Sequence, residues 1–307
     1  MGRIIGLFAC MAGRAAPPSF RRDTRSAIGY NAGMPELPEV ETIAAGLRAG
    51  ALGLTIKAAV CRLPKLLRET RPEDLAALAG SRVSAVRRRG KVLIMEAEGR
   101  ALLFHLKMTG RFFWAGPGQT PDKHTHFILA FADAEEALCF RDVRKFGFLR
   151  CLPCSEVEAA PEVVALGPEP LEISDTEFAA RLAARKGRLK SVLLDQRVLA
   201  GVGNIYADEA LHAAALHPRT PANRLSAEEL GRLRTALRRI LKAAIAAGGS
   251  SVRDYRSVDG GIGDFQTRHK VYGRKGEACR RCGGTIRRIV VGGRAAFYCP
   301  RCQRRRR

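Results

Sequence analysis

The 307-residue chain contains no apolar stretch that approaches the roughly 18–20 residues a helix needs to cross a bilayer. Acidic residues are also scarce, because 30 Asp and Glu stand against 53 Lys and Arg and leave a net charge of +23. A charge of that size predicts a polyanionic partner, since neutralising phosphates and releasing their counterions drives binding. Nucleic-acid-binding, ribosome-associated and membrane-surface proteins share this imbalance. The sequence also contains no internal repeat.

The first 33 residues form a distinct segment that holds five arginines, no lysine and a single acid, Asp23. An Arg-rich, acid-poor leader is typical of organelle transit peptides, and residues 4–13 resemble the apolar core of a short signal peptide. A start assigned too far upstream explains the segment more simply, because Met34 opens a sequence that reads like the beginning of a mature enzyme. We therefore expect residues 1–33 to be a misassigned start or a targeting leader.

The sequence after Met34 begins with PELPE at residues 35–39. If Met34 is the first residue and is removed, Pro35 presents a free secondary amine. An α-amino group has a pKa of about 8, against about 10.4 for lysine, so a useful fraction is neutral and nucleophilic at pH 7. Such an amine suits covalent attack on a sugar carbon. With the 33 preceding residues attached, the same nitrogen is a tertiary amide and cannot act as a nucleophile.

The C-terminal region carries a specific metal signal, two CxxC pairs formed by Cys279, Cys282, Cys299 and Cys302. Two such pairs place four thiolates on two tight turns that can close tetrahedrally around one structural Zn²⁺. Between them, Thr285–Val291 and Ala295–Tyr298 predict a β-hairpin that turns at Gly292-Gly293. Disulfides in a secreted protein are the alternative. A further CxxC, Cys151 and Cys154, has no partner pair, and we expect it to carry no metal.

Between Thr55 and Cys151, short runs rich in Val, Ile, Leu and Phe predict an antiparallel β-sandwich, packed by a helix over Pro38–Ala49. The expected strands are Arg82–Val86, Val92–Ala97, Leu102–Leu106, Phe127–Phe131, Ala137–Phe140 and Phe146–Cys151. Further along, the periodicity is helical, and Ser226 and Glu229 form a capping box that opens a long helix. The expected fold class is therefore α+β, and the chain is long enough to bury more than one core.

The string PELPEVET at residues 35–42 closely resembles the N-terminus of the bacterial formamidopyrimidine-DNA glycosylases, which excise 8-oxoguanine and ring-opened purines. The Gly201–Ala207 segment and the four-cysteine motif repeat the resemblance, which covers essentially residues 34–302. It implies a bifunctional DNA glycosylase and AP lyase of base excision repair. In that chemistry Pro35 attacks C1′ of the damaged nucleoside and forms a Schiff base, Glu36 is the proton donor, and β,δ-elimination cleaves the strand.

The resemblance also implies roles for residues beyond the N-terminus. Lys91 is expected to donate a proton or contact phosphate, and Arg294 to contact phosphate and donate the proton for δ-elimination. Glu39 is expected to support the site and the start of its helix. The implied DNA contacts are His124, Arg144, Lys190 and Asn204. An enzyme that flips a base out of the duplex must fill the gap, and the implied void-filling residues are Met108, Arg144 and Phe146.

One position departs from the family pattern. Lys107 stands where many relatives have glycine, so the conformation of the local turn and the role of the lysine stay open.

The implied organisation is a catalytic β-sandwich flanked by helices at 34–160, a linker at 161–172, a helix–two-turn–helix DNA-binding domain at 173–252, and a lesion-loop and zinc-finger module at 253–307. The expected partner is double-stranded DNA containing damaged bases, bound by a monomer with one structural zinc and no membrane contact. The expected location is the bacterial cytoplasm, on the nucleoid, or an organelle if residues 1–33 are a real leader. Secretion is disfavoured, because the cysteine pairs are typical of metal thiolates.

Two other functions stay open at this point. The sister glycosylase for oxidised pyrimidines typically begins Pro-Glu-Gly-Pro-Glu, and Leu37 argues against it. A noncatalytic zinc-finger DNA-binding protein is the other alternative, if Pro35 is never exposed as a free amine. The N-terminal sequence of the protein purified from its own cells would distinguish these outcomes.

Overall fold

The computed structural model describes residues 34–251 and 257–305, so the expected leader at 1–33 and the boundary expected at 252–253 lie wholly or partly outside the described residues. The helices are α1 (Leu37–Ala51), α2 (Pro72–Ala76), α3 (Pro161–Val164), α4 (Asp175–Ala183), α5 (Leu189–Leu194), α6 (Asn204–Ala213) and α7 (Ala227–Ala246). The strands are β1 (Ile56–Cys61), β2 (Val83–Arg89), β3 (Val92–Ala97), β4 (Arg100–His105), β5 (Gly110–Ala115), β6 (Thr125–Phe131), β7 (Ala137–Asp142), β8 (Phe148–Pro153), β9 (Arg287–Val291) and β10 (Arg294–Tyr298).

The predicted sandwich is confirmed as two four-stranded antiparallel sheets, ordered β1-β6-β7-β5 and β2-β3-β4-β8. Strands β1 and β5 were not among the expected ones. Both lie at the edges of their sheet, where only one neighbour pairs with them and fewer side chains are buried. An edge strand needs less apolar sequence than a central one, so its signal is weaker.

Strand β3 shows why the central strands read as continuous apolar runs. Leu93 and Met95 point into the core between the sheets, whereas Val92 and Ile94 belong to a second cluster on the outer face. Val157, Ala160 and the α3 residue Val163 belong to the same outer cluster. The segment expected as a linker at 161–172 is therefore partly packed against the sandwich.

Helix α1 joins the two halves of the molecule. Val40, Ile43 and Leu47 pack into the core of the sandwich, while Leu37 enters the core of the helical region. In that region α7 begins at the predicted capping box, where Ser226 Oγ accepts from Glu229 N–H at 3.3 Å. Among the described residues, no helix combines the length and apolar character needed to span a membrane.

The predicted C-terminal hairpin is confirmed, with β9 and β10 paired from Arg294 opposite Val291 to Tyr298 opposite Arg287. The turn falls at the predicted glycines, which have φ values of +56° at Gly292 and +74° at Gly293. Two successive left-handed residues are typical of the tightest hairpin turns. The hairpin tip therefore presents Arg294 immediately after the turn.

Candidate active-site cleft

A cleft of about 640 Å³ lies between the sandwich, the helical region and the β9–β10 hairpin. Four expected site residues line it, although they are far apart in sequence: Glu36, Lys91, Asn204 and Arg294. Pro35 is buried immediately before Glu36, and Met34 also lines the cleft. The fold thus brings together the start of α1, the β2–β3 turn, the start of α6 and the hairpin tip.

Cations dominate the lining of this cleft. Only two acidic side chains, Glu36 and Glu162, line the cleft. The cationic side chains that line it are Arg68, Lys91, Lys107, Arg288 and Arg294. Glu162 pairs with Arg150 at 3.2 Å, outside the cleft lining. Within the described ranges, no carboxylate forms an ion pair with any of the five cations. Such an excess of positive charge in a concave site favours an anionic ligand such as a phosphate.

Glu36 is 3% exposed and reaches across to the N-terminus of α6. Its carboxylate accepts backbone hydrogen bonds from Ile205 N–H at 3.0 Å and Tyr206 N–H at 3.3 Å. Gly203 leaves room for this crossing, because a Cβ there would lie 2.1 Å from Glu36 Cδ. Burial raises the pKa of Glu36, while Lys91 and the amide hydrogen bonds oppose that shift. A raised carboxyl pKa increases the protonated fraction near neutral pH, as a proton donor requires.

Glu39 ties three segments together beneath the cleft. Glu36 N–H donates to Glu39 Oε2 at 2.9 Å and closes the capping box of α1. Glu39 Oε1 accepts from Ser250 N–H at 2.7 Å and from the Tyr206 hydroxyl at 2.5 Å. Burial, with a further contribution from the neighbouring Glu36 carboxylate, raises the pKa of Glu39 to about 7. These contacts connect α1, α6 and the chain after α7, which is the kind of support expected of Glu39.

Lys91 follows a tight turn that is held from outside the sandwich. Gly90 has φ +57°, and its N–H donates to Glu169 Oε1 at 2.6 Å. Arg88 pairs with the other oxygen of Glu169, also at 2.6 Å, so the expected linker fixes the turn that presents Lys91. Burial lowers the pKa of Lys91, and the Glu36 carboxylate opposes the shift. A lowered ammonium pKa makes proton donation easier at neutral pH.

Asn204 is the first residue of α6, and one atom of its side-chain amide makes no hydrogen bond to another described residue. The Oδ1 atom is buried and has no hydrogen-bond partner among the described residues, whereas the side chain also hydrogen-bonds Tyr272. A buried amide atom without a hydrogen-bond partner is typical of a ligand-binding site. With the amide turned over, the same position offers an N–H donor to a phosphate oxygen.

Tyr272 and His105 also line the cleft, and neither was identified from the sequence. Burial raises the pKa of Tyr272 to about 12, so its hydroxyl stays a hydrogen-bond donor at neutral pH. Burial, with Lys107 and Lys91 nearby, lowers the pKa of His105 to about 3. Because His105 Nδ1 accepts from Lys107 N–H at 3.0 Å, the neutral ring carries its proton on Nε2. A lone His at the end of a strand gives no sequence signal for this arrangement.

The three expected void-filling side chains form a cluster. Arg144 Cζ lies 4.7 Å from the centroid of the Phe146 ring, and Arg144 Nη1 lies 3.1 Å from Met108 Sδ. Phe146 is 50% exposed even with Arg144 stacked on its ring. The fold therefore places a cation, an aromatic ring and a thioether together on an exposed surface.

Asp142, which the sequence did not single out, holds the two loops of this cluster. Its buried carboxylate accepts from the Thr109 hydroxyl and from Gly147 N–H at 2.7 Å. Its backbone N–H donates to the carbonyl of His124 at 2.9 Å. His124 is half-buried beside this anchor, and its Nδ1 has no hydrogen-bond partner among the described residues. The expected DNA contact at His124 thus lies near the void-filling cluster and outside the cleft lining.

Lys190 does not take the position expected of a direct DNA contact. Its side chain is 0% exposed, its Nζ lies 2.7 Å from Asp208 Oδ1, and it donates to the carbonyl of Ala295 at 2.5 Å. The buried ion pair differs from the exposed position that a direct phosphate contact implies, and the DNA contact at Lys190 stays a prediction. The other oxygen of Asp208 accepts from Phe297 N–H at 2.9 Å. The ion pair therefore anchors β10, the strand that begins with Arg294.

The four expected zinc ligands converge. Their sulfur atoms all lie within 4.8 Å of one another, with 3.9 Å between Cys279 and Cys302 and 3.4 Å between Cys282 and Cys299. Tetrahedral Zn–S bonds of about 2.3 Å place the sulfurs roughly 3.8 Å apart, so the set fits one structural Zn²⁺.

The additional CxxC pair has a different setting. Cys151 lies in the core of the sandwich, whereas Cys154 packs against the cluster on the outer face of the sheet. The two thiols therefore belong to different cores.

Helix α6 organises the whole site through polar residues that the rest of the protein buries. Tyr206 contacts Glu39, and Asp208 anchors β10, as described above. Glu209 accepts from the backbone N–H groups of residues 270–272, each at 2.9 Å, which fixes the position of Tyr272. The Nε2 atom of His212 lies 3.5 Å from the sulfur of Cys279. One helix thus links the carboxylates of Glu36 and Glu39, the hairpin and the cysteine cluster.

Models of known protein families match three parts of the chain. The formamidopyrimidine-DNA glycosylase N-terminal domain matches residues 34–149, and the H2TH domain of the same enzymes matches residues 166–256. The zinc finger found in FPG and IleRS matches residues 276–305, in agreement with the cysteine geometry. The formamidopyrimidine-DNA glycosylase of Desulfitobacterium hafniense is 43% identical over 274 residues, which cover 88% of this chain and 100% of that protein.

Solved structures agree with the sequence relatives. The complex between Lactococcus lactis Fpg and DNA containing an abasic site is 35% identical, with a TM-score of 0.83. The structure of MutM in complex with DNA containing carbocyclic 8-oxo-G is also 35% identical, with a TM-score of 0.81. Each match covers 88% of this chain and 100% of the other. On fold, cleft, cysteine cluster and sequence together, the chain belongs to the formamidopyrimidine-DNA glycosylase family.

Proposed function

We propose that this protein is a bifunctional DNA glycosylase and AP lyase of base excision repair that removes oxidised purines, including 8-oxoguanine and formamidopyrimidines. The observation that carries the proposal is the convergence of Glu36, Lys91, Asn204 and Arg294 on one cationic cleft beside Pro35. Family membership supports the reaction class. Relatives solved with abasic and 8-oxo-G-containing DNA support the substrate.

The nucleophile is the nitrogen of Pro35, and it acts only as a free amine. The family model for the N-terminal domain begins its match at residue 34, and the D. hafniense relative is covered over its full length by 88% of this chain. These matches support an active form that begins at Pro35.

In the first half of the reaction, the Pro35 lone pair forms a bond to C1′, and the bond from C1′ to the base breaks. The base leaves with that electron pair and takes up a proton. Glu36 donates a proton to the ring oxygen of the sugar, which opens and leaves an iminium between Pro35 and C1′. The buried Glu36 suits this step because its raised pKa keeps a proton available.

In the second half, loss of a proton from C2′ expels the 3′ phosphate, and a further proton loss expels the 5′ phosphate. Water then hydrolyses the Schiff base and frees Pro35. Lys91 and Arg294 both line the cleft, where they bind the phosphates and donate protons to leaving oxygens. Asn204 holds the neighbouring backbone by turning its amide over, so that an N–H at the position of the unpaired Oδ1 donates to a phosphate oxygen.

The cluster of Met108, Arg144 and Phe146 fills the space left by the everted base, and Arg144 and His124 contact the DNA beside it. Its exposed, stacked geometry supports this role, because a wedge must displace a base without a large change in its own packing. The zinc ion holds the hairpin and takes no part in the chemistry. Lys190 acts indirectly, as a positioning residue for Arg294 through β10.

The enzyme acts as a monomer on the DNA of the bacterial cytoplasm. The alternative specificity for oxidised pyrimidines was disfavoured because of Leu37. In the structure Leu37 packs in the helical core and its N–H donates to Gly201 O at 3.0 Å, so it supports the fold without lining the cleft. The preference for purines is therefore tested by comparing base excision from an 8-oxoguanine duplex with base excision from a matched duplex that contains an oxidised pyrimidine.

Borohydride trapping tests the whole proposal. Protein that begins at Met34, and is processed to Pro35, should form a covalent adduct with an 8-oxoguanine duplex after reduction. The unprocessed 1–307 form should bind the same duplex but form no adduct. The Met34 form with Pro35→Gly keeps an N-terminal amine and controls for the cyclic secondary amine. Strong trapping by intact 1–307 protein, verified by mass, would exclude Pro35 as the nucleophile, and no trapping by either form would support a noncatalytic DNA-binding protein.

A further inference from the structure

We propose that Lys107 is a DNA-binding residue whose ammonium binds a phosphate of the strand that carries the damaged base. The proposal rests on the function proposed above and deepens it. It explains why a lysine occupies a backbone position that favours glycine.

The backbone at Lys107 lies in the left-handed region, with φ +52°. This conformation is unfavourable for a residue with a Cβ and is accessible to glycine without strain. The turn around it is tightly closed, because Gly110 N–H donates to Leu106 O at 3.0 Å and a Cβ on Gly110 would lie 2.5 Å from that oxygen. A glycine would satisfy this turn better than lysine does. Strained residues of this kind concentrate at functional sites.

The Lys107 side chain lies where its positive charge can bind an anionic group of the DNA. It lines the cleft, with Nζ 5.7 Å from the centroid of the Phe148 ring. Arg68 covers the same ring, with its guanidinium carbon 3.8 Å from the centroid. Neither cation forms an ion pair with a carboxylate in the described ranges. The two cations therefore share one aromatic platform in the cleft and lack an anionic partner.

The turn also places the side chains of Lys107 and Met108, which are neighbours in sequence, in two different sites. Lys107 enters the cleft that contains Glu36, whereas Met108 joins Arg144 in the void-filling cluster. The ammonium is thus next in sequence to the wedge and in the same cavity as the reaction centre. The backbone of an everted nucleotide must pass between these two places, which puts a phosphate within reach of Lys107 and leaves the opposite strand beyond the wedge.

Lys107→Gly separates this role from a structural one, because it should affect stability and binding in opposite directions. Relief of the left-handed strain should leave the thermal midpoint equal to or above that of the wild type. Loss of the phosphate contact should weaken binding of a duplex with a non-cleavable abasic analogue by on the order of tenfold. The slope of log Kobs against log salt concentration should become shallower by about 0.9, the value for one phosphate.

Two further variants complete the experiment. Lys107→Arg keeps the charge and should retain the wild-type slope, and Lys107→Gln keeps the strain but should lose the contact as Lys107→Gly does. Ala215→Gly is the matched control, because Ala215 also has a left-handed backbone, with φ +59°, and is exposed beyond the end of α6. It should raise the midpoint without changing affinity.

An unchanged affinity and salt slope for Lys107→Gly would overturn the proposal, even if the protein became more stable. A weaker affinity with an unchanged slope would also overturn it, because the lost interaction would not be with a phosphate. Failure of the proposed function has a different signature: the wild type itself would neither excise the damaged base nor prefer the abasic analogue over undamaged duplex.

Discussion

The buried ion pair of Lys190 and Asp208 gives the sharpest prediction about how this protein assembles its site. Lys190→Met removes the ammonium but keeps an unbranched apolar side chain of similar length. Asp208 is then left in the core without its counter-ion, and Ala295 O loses its donor. Removing one partner of a buried pair typically costs about 3–5 kcal/mol of unfolding free energy.

The cost should depend on pH in a defined direction. Burial raises the pKa of Asp208 to about 7, and Lys190 is the largest opposing influence. Without Lys190 that pKa rises further, so the folded variant keeps Asp208 protonated at a pH where the unfolded chain ionises it. Each unit of that rise costs about 1.4 kcal/mol while the pH exceeds the folded pKa. The destabilisation should therefore be larger at pH 8 than at pH 6.

A kinetic cycle tests whether Lys190 acts through Arg294. Cleavage of a preformed abasic site is measured for the wild type, Lys190→Met, Arg294→Ala and the double variant, with zinc content and circular dichroism as controls for folding. If Lys190 only positions the hairpin, the double variant should be no slower than Arg294→Ala. Effects that multiply, together with a salt slope shallower by one phosphate, would refute this reasoning and restore Lys190 as a direct DNA contact.

Three further predictions follow from other parts of the site. Glu36→Gln should slow base excision by roughly 10²–10⁴-fold, as expected for loss of a positioned acid, while duplex affinity and cleavage of a preformed abasic site change far less; equal losses on both substrates would mean that Glu36 only holds Pro35 in place. Cys282→Ser leaves three zinc ligands and should loosen the hairpin that carries Arg294, which weakens DNA binding while the sandwich stays folded; a wild type without stoichiometric zinc by metal analysis would contradict this. Burial lowers the pKa of His105 to about 3 and those of His217 and His269 to about 4, below the unfolded value. The unfolded chain therefore binds more protons in acid, so stability is complete above about pH 6.5 and falls towards pH 4, by up to about 1.4 kcal/mol per pH unit for each histidine; thermal midpoints that stay flat from pH 8 to pH 4.5 would contradict this assignment.

Local sequence patterns predicted the regular elements that bury the most side chains. The helix expected over Pro38–Ala49 is α1, and the expected Val92–Ala97 strand has the same bounds in the structure. Apolar periodicity locates such elements because each has a buried face or two. The edge strands β1 and β5 gave too weak a signal. The segment at 161–172 was expected to be a linker, and its packing against the sandwich was not predicted. Glu169 is part of that packing, and an acid in a Pro-rich segment does not reveal which arginines it will pair with.

The resemblance identified residues that the fold then brought together, but it did not indicate that Lys190 is buried, and it missed other residues. The sequence records a lysine at position 190 whether the side chain is buried or exposed, so only its neighbours decide that it pairs with Asp208. Asp142 and Glu209 are ordinary acids in the sequence. Their importance comes from the backbone amides that they accept from distant segments, and no local pattern records those partners.

The sequence by itself determined the chemistry available to this protein: an amine at Pro35 if the chain is cut there, a carboxylate next to it, four thiolates at metal spacing and a large excess of positive charge. These properties depend on residue type and short spacing, which a sequence states directly. Only the tertiary structure decided that α6 joins the carboxylates to the hairpin and that Lys190 lies in the core. It also decided that Lys107 enters the cleft from a strained turn. Those outcomes depend on contacts between residues tens to hundreds of positions apart, where burial and not residue type sets the charge, the hydrogen-bond partner and the role.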